Sequence, residues 1–323
     1  MRHILIILSL FLFSFTYISC SKSSDDGSKS TDNTTTDNTT TSTGLFVTVG
    51  NTGTILTSPD GTTWTKRTSG TSENLYEVTY GNGTFVTVGN TGTILTSSDN
   101  GTTWDNRTSG TSNQLLGVTY GNNTFVSVSY SGIILTSTDG TTWDNRTSET
   151  SNILVGVTYG NGTFVTVGLD GTYEGIILTS SDGISWTSRT SGTRNPLIEV
   201  TYENGLFVTV GEGGTILTST DGTSWDNRTS GTTTKFYGIT YGNGTFVTVS
   251  LSGKIFTSSD NGTTWTSRTS GTSNPLKGVT YGNSTFVTVG NTGTILTSSD
   301  NGTTWTSRTS GTTQHLYGVT YSQ

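Results

Sequence analysis

The sequence predicts an all-β protein in which one four-stranded unit is copied seven times and closed into a ring, behind an amino-terminal leader and a polar tether. Residue usage, a period near 40 residues and an incomplete unit at each end of the repeat array carry that reading. The 323 residues include 43 Gly and no Ala, and only 11% are charged. A chain without Ala and with few Leu, Lys or Glu lacks the residues that favour helices, which excludes all-helical and doubly wound α/β folds. Val, Ile, Phe, Tyr and Trp recur at regular spacing and supply the half-buried faces that strands need.

Tryptophan marks the period. Trp64, Trp104, Trp143, Trp186, Trp225, Trp265 and Trp305 are separated by 40, 39, 43, 39, 40 and 40 residues. A period near 40 with several short strands per unit is the signature of a β-propeller. Each unit reads as strand a around VTY, b around FVTVG, c around TILTS, and d from the Trp through RTS. Gly-Asn-Gly, Asn-Thr-Gly and Asp-Asn-Gly separate them, where hairpins need positive φ. Strands b and c are apolar throughout, as expected of strands covered on both faces by neighbouring blades.

The two ends fix the blade count. The array opens on a b strand, Phe46-Val47-Thr48-Val49, and closes on an a strand, Gly318-Val319-Thr320-Tyr321. Together they complete one blade, giving a closed ring of seven four-stranded blades with no open edge. An open solenoid would need polar caps at both ends.

Residues 1–19 read as a signal segment: Met1-Arg2-His3, an apolar stretch from Ile4 to Phe15, then Thr16 to Ser19 before the only cysteine, Cys20. The stretch is shorter than the about 20 residues that span a bilayer and fits a secretory core. The segment resembles a bacterial lipoprotein signal, although Tyr17 stands where Leu is usual. The resemblance implies acylation of Cys20 as residue one of the mature chain and a lipid-anchored envelope, outer-membrane or cell-surface protein. An ordinary cleaved signal, giving a secreted protein, is the alternative. Residues 20–44 are almost entirely Ser, Thr, Asn, Asp, Lys and Gly. With nothing to bury they form a flexible tether spanning on the order of 25 to 30 Å. Asp25-Asp26 resembles the acidic surface-export signals of some Bacteroidetes lipoproteins. The ring itself occupies residues 45–323.

Between strands c and d lies a repeated box, SSDNGTTW at Ser97 to Trp104, Ser258 to Trp265 and Ser298 to Trp305, with a form one residue shorter in the other four units. It resembles the Asp-box of the BNR/sialidase-type propellers, S-x-D-x-G-x-x-W. Ser and Asp oxygens in such a box take backbone N–H groups of a tight hairpin, Gly supplies the permissive φ and Trp packs beneath. Enzymes and non-enzymes share this folding device, so it speaks for fold and not for chemistry. One carboxylate per turn cannot supply the 6 to 8 oxygens of a calcium site, so no metal or other cofactor is expected.

Sialidases of this fold clamp a carboxylate with three arginines from different blades. Here seven of nine arginines stand three residues after each Trp, Arg67 through Arg308, as repeat residues; the others are Arg2 and Arg194. No arginine triad can be assembled, and His315 is the only histidine beyond the leader. Glycosidases otherwise need two carboxylates about 5 to 10 Å apart. Glu77 and Glu199 replace Gly at the start of strand a in units three apart, which reads as solvated charge at a channel mouth, too distant to share a proton. The chain is therefore expected to be a binding module without catalytic residues, most similar to non-enzymatic Asp-box propellers; a glycoside hydrolase of sialidase-like fold is the alternative.

Where the seven copies differ points to the ligand. Differences gather in the d-to-a and b-to-c loops, which share the face opposite the Asp-boxes. The largest is Gly168 to Gly175, an insertion of about four residues judged against the usual blade length, and it brings Leu169, Asp170, Tyr173 and Glu174. Arg194 lies in the next d-to-a loop and Glu212 in the next b-to-c loop. These six residues form the predicted site, with Tyr173 and Arg194 as anchors for a protein or glycan ligand. A net charge of −7 argues against nucleic acid. A monomer is expected.

Overall fold

The computed structural model describes residues 44–322, so the leader, Cys20 and nearly all of the tether lie outside the described residues. Seven four-stranded antiparallel sheets form the expected propeller. Blade 1 consists of the C-terminal strand a, Leu316–Tyr321, with b Phe46–Gly50, c Ile55–Ser58 and d Thr65–Arg67. Blades 2 to 7 follow in chain order; in blade 2 the strands are Leu75–Gly81, Thr84–Gly89, Ile94–Ser97 and Asp105–Arg107. Strand d is shorter than the sequence pattern implies, because each Trp turns under the hairpin instead of joining the ladder.

The core lies between blades. Val86, Val88 and Ile94 of blade 2 pack on Leu115, Val118, Phe125 and Trp143 of blade 3, and an equivalent cluster fills each junction. The cluster joining Val287 and Val289 to Leu316, Val319 and Phe46 closes the ring. Strand b is apolar on both faces for this reason: the two Val point to one neighbour and Phe to the other.

The threonine of FVTV is fully buried and has a definite task. Strand a carries a bulge before each VTY, as between Leu75 and Glu77, which takes one carbonyl out of the ladder. The Thr87 hydroxyl donates to the Glu77 carbonyl at 2.8 Å, and Thr48 donates to that of Gly318 at the same distance. A buried carbonyl left without a donor costs about 1–3 kcal/mol.

The Asp-boxes are built as expected, with one addition. In blade 2 the Ser97 hydroxyl accepts from Gly101 N–H at 2.9 Å and donates to Asp99 at 2.8 Å, while Asp99 accepts from Thr103 N–H at 2.9 Å. The addition is the Trp104 indole N–H, which donates to the Gly101 carbonyl at 3.1 Å. Hydrogen bonds from Thr103 first, and equivalent ones elsewhere, hold Asp99, Asp260 and Asp300 at about 2. Each repeat arginine donates from Nε to the threonine of strand c, as Arg107 to Thr96 at 2.8 Å and Arg268 to Thr257 at 2.9 Å. The repeat arginines thus fasten outer strands to their blades.

Candidate functional site

The a-to-b hairpins stand on the Asp-box face, where Asn204 bonds Asn261 of the next blade at 2.9 Å and Asn243 bonds Asn301 at 2.7 Å. The b-to-c turns and d-to-a loops therefore surround the opposite end of the channel. There they enclose a basin of about 440 Å³.

Its inner wall comes from one position per blade, the residue after the first of strand a in six blades and its equivalent in blade 4. Tyr76, Leu116, Val155, Ile198, Tyr237, Lys277 and Tyr317 occupy it and form a collar around the ring axis. Tyr76 and Tyr317 stack with centroids 5.4 Å apart, and Lys277 places its ammonium 3.4 Å from the Tyr237 ring centre. Gln114 and the Tyr76 hydroxyl both donate to Asn90 Oδ1 at 2.7 Å, which ties the collar to a b-to-c turn.

Of the six residues singled out in the sequence, Leu169, Tyr173 and Glu212 line this basin. Leu169 ends strand b of blade 4 and is buried, whereas Tyr173 is 65% exposed and holds a left-handed φ of 68°. Asp170 shapes the insertion: its Oδ1 accepts the N–H groups of Thr172 and Glu174, both at 2.9 Å. Those bonds, that of Glu174 foremost, keep its carboxyl below the usual range. Glu212 pairs with Lys235 at 2.8 Å. Glu174 and Arg194 face each other at 3.7 Å outside the basin lining, with the arginine side chain 92% exposed. Sequence reading does not single out the collar, although its members lie at the ends of the d-to-a loops, where the copies differ. Aligning the seven copies on the Gly-Val-Thr-Tyr strand exposes it.

The placement of Glu77 and Glu199 refines the sequence reading. They are half-buried, and their charges interact across the ring. They sit directly below the collar, at the junction of the basin with a narrower channel of about 170 Å³. One oxygen of each accepts the N–H of the following valine at 3.0 Å. Burial pushes Glu199 up to about 7. Burial also pushes Glu77 well above the carboxylate range, and the Glu199 charge adds to that rise. The reason is the radius of a seven-bladed ring: inner strands converge until opposite blades feel one another's charge. The other five blades carry Gly at this level. A Cβ at Gly117 would overlap the Val155 carbonyl and one at Gly278 that of Tyr317.

This geometry sets a pH dependence. Carboxyls whose folded-state affinity for protons is raised contribute stability below their ordinary value near 4.5 and lose it as pH rises through the folded value, here about 7 for Glu199. Glu199→Gln, which keeps the bond from Val200 N–H, is expected to raise the thermal midpoint at pH 8 by about 5 °C. It should change little at pH 4.5, and equal shifts at both pH values would show that the charge is not the cause.

A family model described as photosynthesis system II assembly factor YCF48 matches residues 28–279. The chain belongs to the YCF48 family. Among solved structures it is similar to YCF48 from Cyanidioschyzon merolae, with TM-score 0.61 and 18% identity over 78% of this chain and 90% of that one. It is also similar to YCF48 bound to D1 peptide, with TM-score 0.59 and 20% identity over 73% and 81%. A computationally designed protein, Ika8, matches with TM-score 0.52 and 11% identity, covering 76% and 96%. No curated protein sequence matches the chain. At these identities the structures show the propeller fold, which this YCF48-family chain shares.

Proposed function

We propose that this YCF48-family chain is an exported propeller, anchored through an acylated Cys20 at the cell envelope or surface, that binds a segment of another protein in its loop-face basin and performs no catalysis. One observation carries the reading: the seven copies are nearly identical on the Asp-box face and differ where they line the basin. A scaffold held constant beneath a varied concave surface suits recognition. The fold relative solved with a D1 peptide supports a peptide as the kind of ligand. Tyr173 and Leu169 would supply apolar contact, Glu212 a polar one, and Arg194 with Glu174 a charged rim. Screening the full chain against peptide and glycan arrays tests this. Tyr173→Ala combined with Arg194→Ala should weaken capture of the best peptide at least roughly tenfold without moving the melting point; undiminished capture would remove these anchors.

The anchor has its own test. Among the described residues no helix is long and apolar enough to cross a membrane. The wild-type protein is expected to partition into detergent and take up a palmitate analogue, and Cys20→Ala to do neither. Wild-type protein wholly in the aqueous phase would favour a cleaved, secreted form.

A glycoside hydrolase is the second reading, and the Glu77 and Glu199 pair is what favours it. Proton affinities raised by burial suit a general acid. Both carboxylates, however, stand where the basin narrows into the channel, with only part of each side chain accessible. Turnover of any member of a fluorogenic glycoside panel, lost in Glu199→Gln, would establish it.

A further inference from the structure

The throat of the ring holds two carboxylates that no ion pair among the described residues balances. Each uses one oxygen to accept a neighbouring backbone N–H. Among the described residues neither takes part in an ion pair. Among the described residues Lys277 is the one cation lining both basin and channel, and its ammonium is held over the face of Tyr237. Lys235 is committed to Glu212. Glu replaces Gly twice at a level where five blades keep Gly, and burying two like charges near one another is unfavourable unless a counter-charge arrives.

We propose that the throat receives a lysine or arginine side chain presented by a partner protein, with Glu77 and Glu199 taking the cationic head and the collar sheathing its apolar stem. The proposal rests on the reading of the basin as a peptide-binding surface. The chemistry matches the shape: long basic side chains lay a methylene stem along apolar and aromatic walls and carry the charge at the tip. The placement matches too, because the carboxylates line the basin together with Tyr76, Ile198 and Tyr237 and also line the narrower channel that continues from it. The ligand's cation favours the ionised carboxylates, so uptake should release protons and strengthen as pH rises through about 7. The other charged or titratable groups facing the throat are Lys277 and the hydroxyls of Tyr76, Tyr237 and Tyr317, with Glu212 and Lys235 paired at the rim.

The test uses the full chain in detergent and positional peptide libraries that differ only in a fixed central residue: arginine, lysine, citrulline or glutamate. Citrulline keeps the shape of arginine without its charge. Arginine and lysine pools should be retained roughly tenfold or more above the citrulline pool. The preference should rise between pH 6 and pH 8 and vanish in the Glu77→Gln, Glu199→Gln double variant, whose fold is checked by its melting curve. Lys277→Met, which removes the resident cation, should sharpen the preference. Equal retention of arginine and citrulline, or an arginine preference intact in the double variant, overturns the proposal while leaving the basin as a peptide site. Failure to retain any pool overturns both readings. Titration with calcium or zinc chloride separates a metal site: metal binding lost in the double variant, without arginine preference, also overturns it.

Discussion

Removal of residues 316–323 is expected to leave a protein that aggregates or melts far below the intact chain. That segment is strand a of blade 1 and supplies the inner partner of Phe46–Gly50. Leu316 is fully buried and Val319 nearly so, and Tyr321 stacks on Phe46 at 4.6 Å. Losing two such aliphatic side chains costs about 4 kcal/mol or more, before the unpaired edge of blade 1 is counted. The edge adds more, because Thr48 loses its carbonyl partner at Gly318 and Leu45 its bonds to Ser322. The sum is comparable to the whole stability of a domain, about 5–15 kcal/mol. Thermal melting of the truncated chain checks this, and an unchanged midpoint would contradict ring closure as the source of stability.

Gly92→Val should be among the most damaging single substitutions. Gly92 closes the b-to-c turn of blade 2 at a φ of 70°, and the same residue with positive φ recurs at Gly53, Gly132, Gly214, Gly253 and Gly293. A Cβ there would overlap the Thr111 carbonyl oxygen and approach the Ser109 hydroxyl to 2.6 Å. A side chain in left-handed conformation costs about 1–2 kcal/mol and the overlap a further ~1–3 kcal/mol. Gly110→Ala is the control. Its φ of 74° is equally left-handed, yet nothing lies within 4 Å of the added carbon. It should cost only about 1 kcal/mol, read as the difference in denaturant midpoint between the two variants. Equal losses would mean that backbone conformation alone, and not close approach, demands glycine at the turn.

The acid limb of stability should follow the Asp-boxes. Their carboxyls are lowered by hydrogen bonds, so what they contribute is present above their ordinary value near 3.8 and is lost as pH falls toward about 2. These groups are largely exposed, and screening keeps each contribution small.

Much of this molecule is local and is therefore written in every copy. Trp spacing gives the blade, Gly and Asn place the hairpins, and Ser, Asp and Gly build the box through bonds spanning two to four residues. Even ring closure is legible, because a lone b strand at one end and a lone a strand at the other can be completed only by each other. The insertion that carries Leu169 and Tyr173 is also visible as a lengthened unit. Arg194 is visible in the sequence as the one arginine of the ring outside the repeat position, and the structure adds that it stands exposed beside Glu174.

The collar and the glutamate pair belong to the tertiary structure. Tyr76, Ile198, Tyr237 and Lys277 lie tens of residues apart and each contributes one side chain to the axis. Nothing in any single copy says how near the seven inner strands approach. What each blade is, and how many there are, can be read from the amino-acid order, since a blade is specified by neighbours a few residues away. That Glu77 and Glu199 are half-buried and feel each other follows only from the closed ring, because solvation and charge coupling depend on distances across the channel, and those are set by the ring radius.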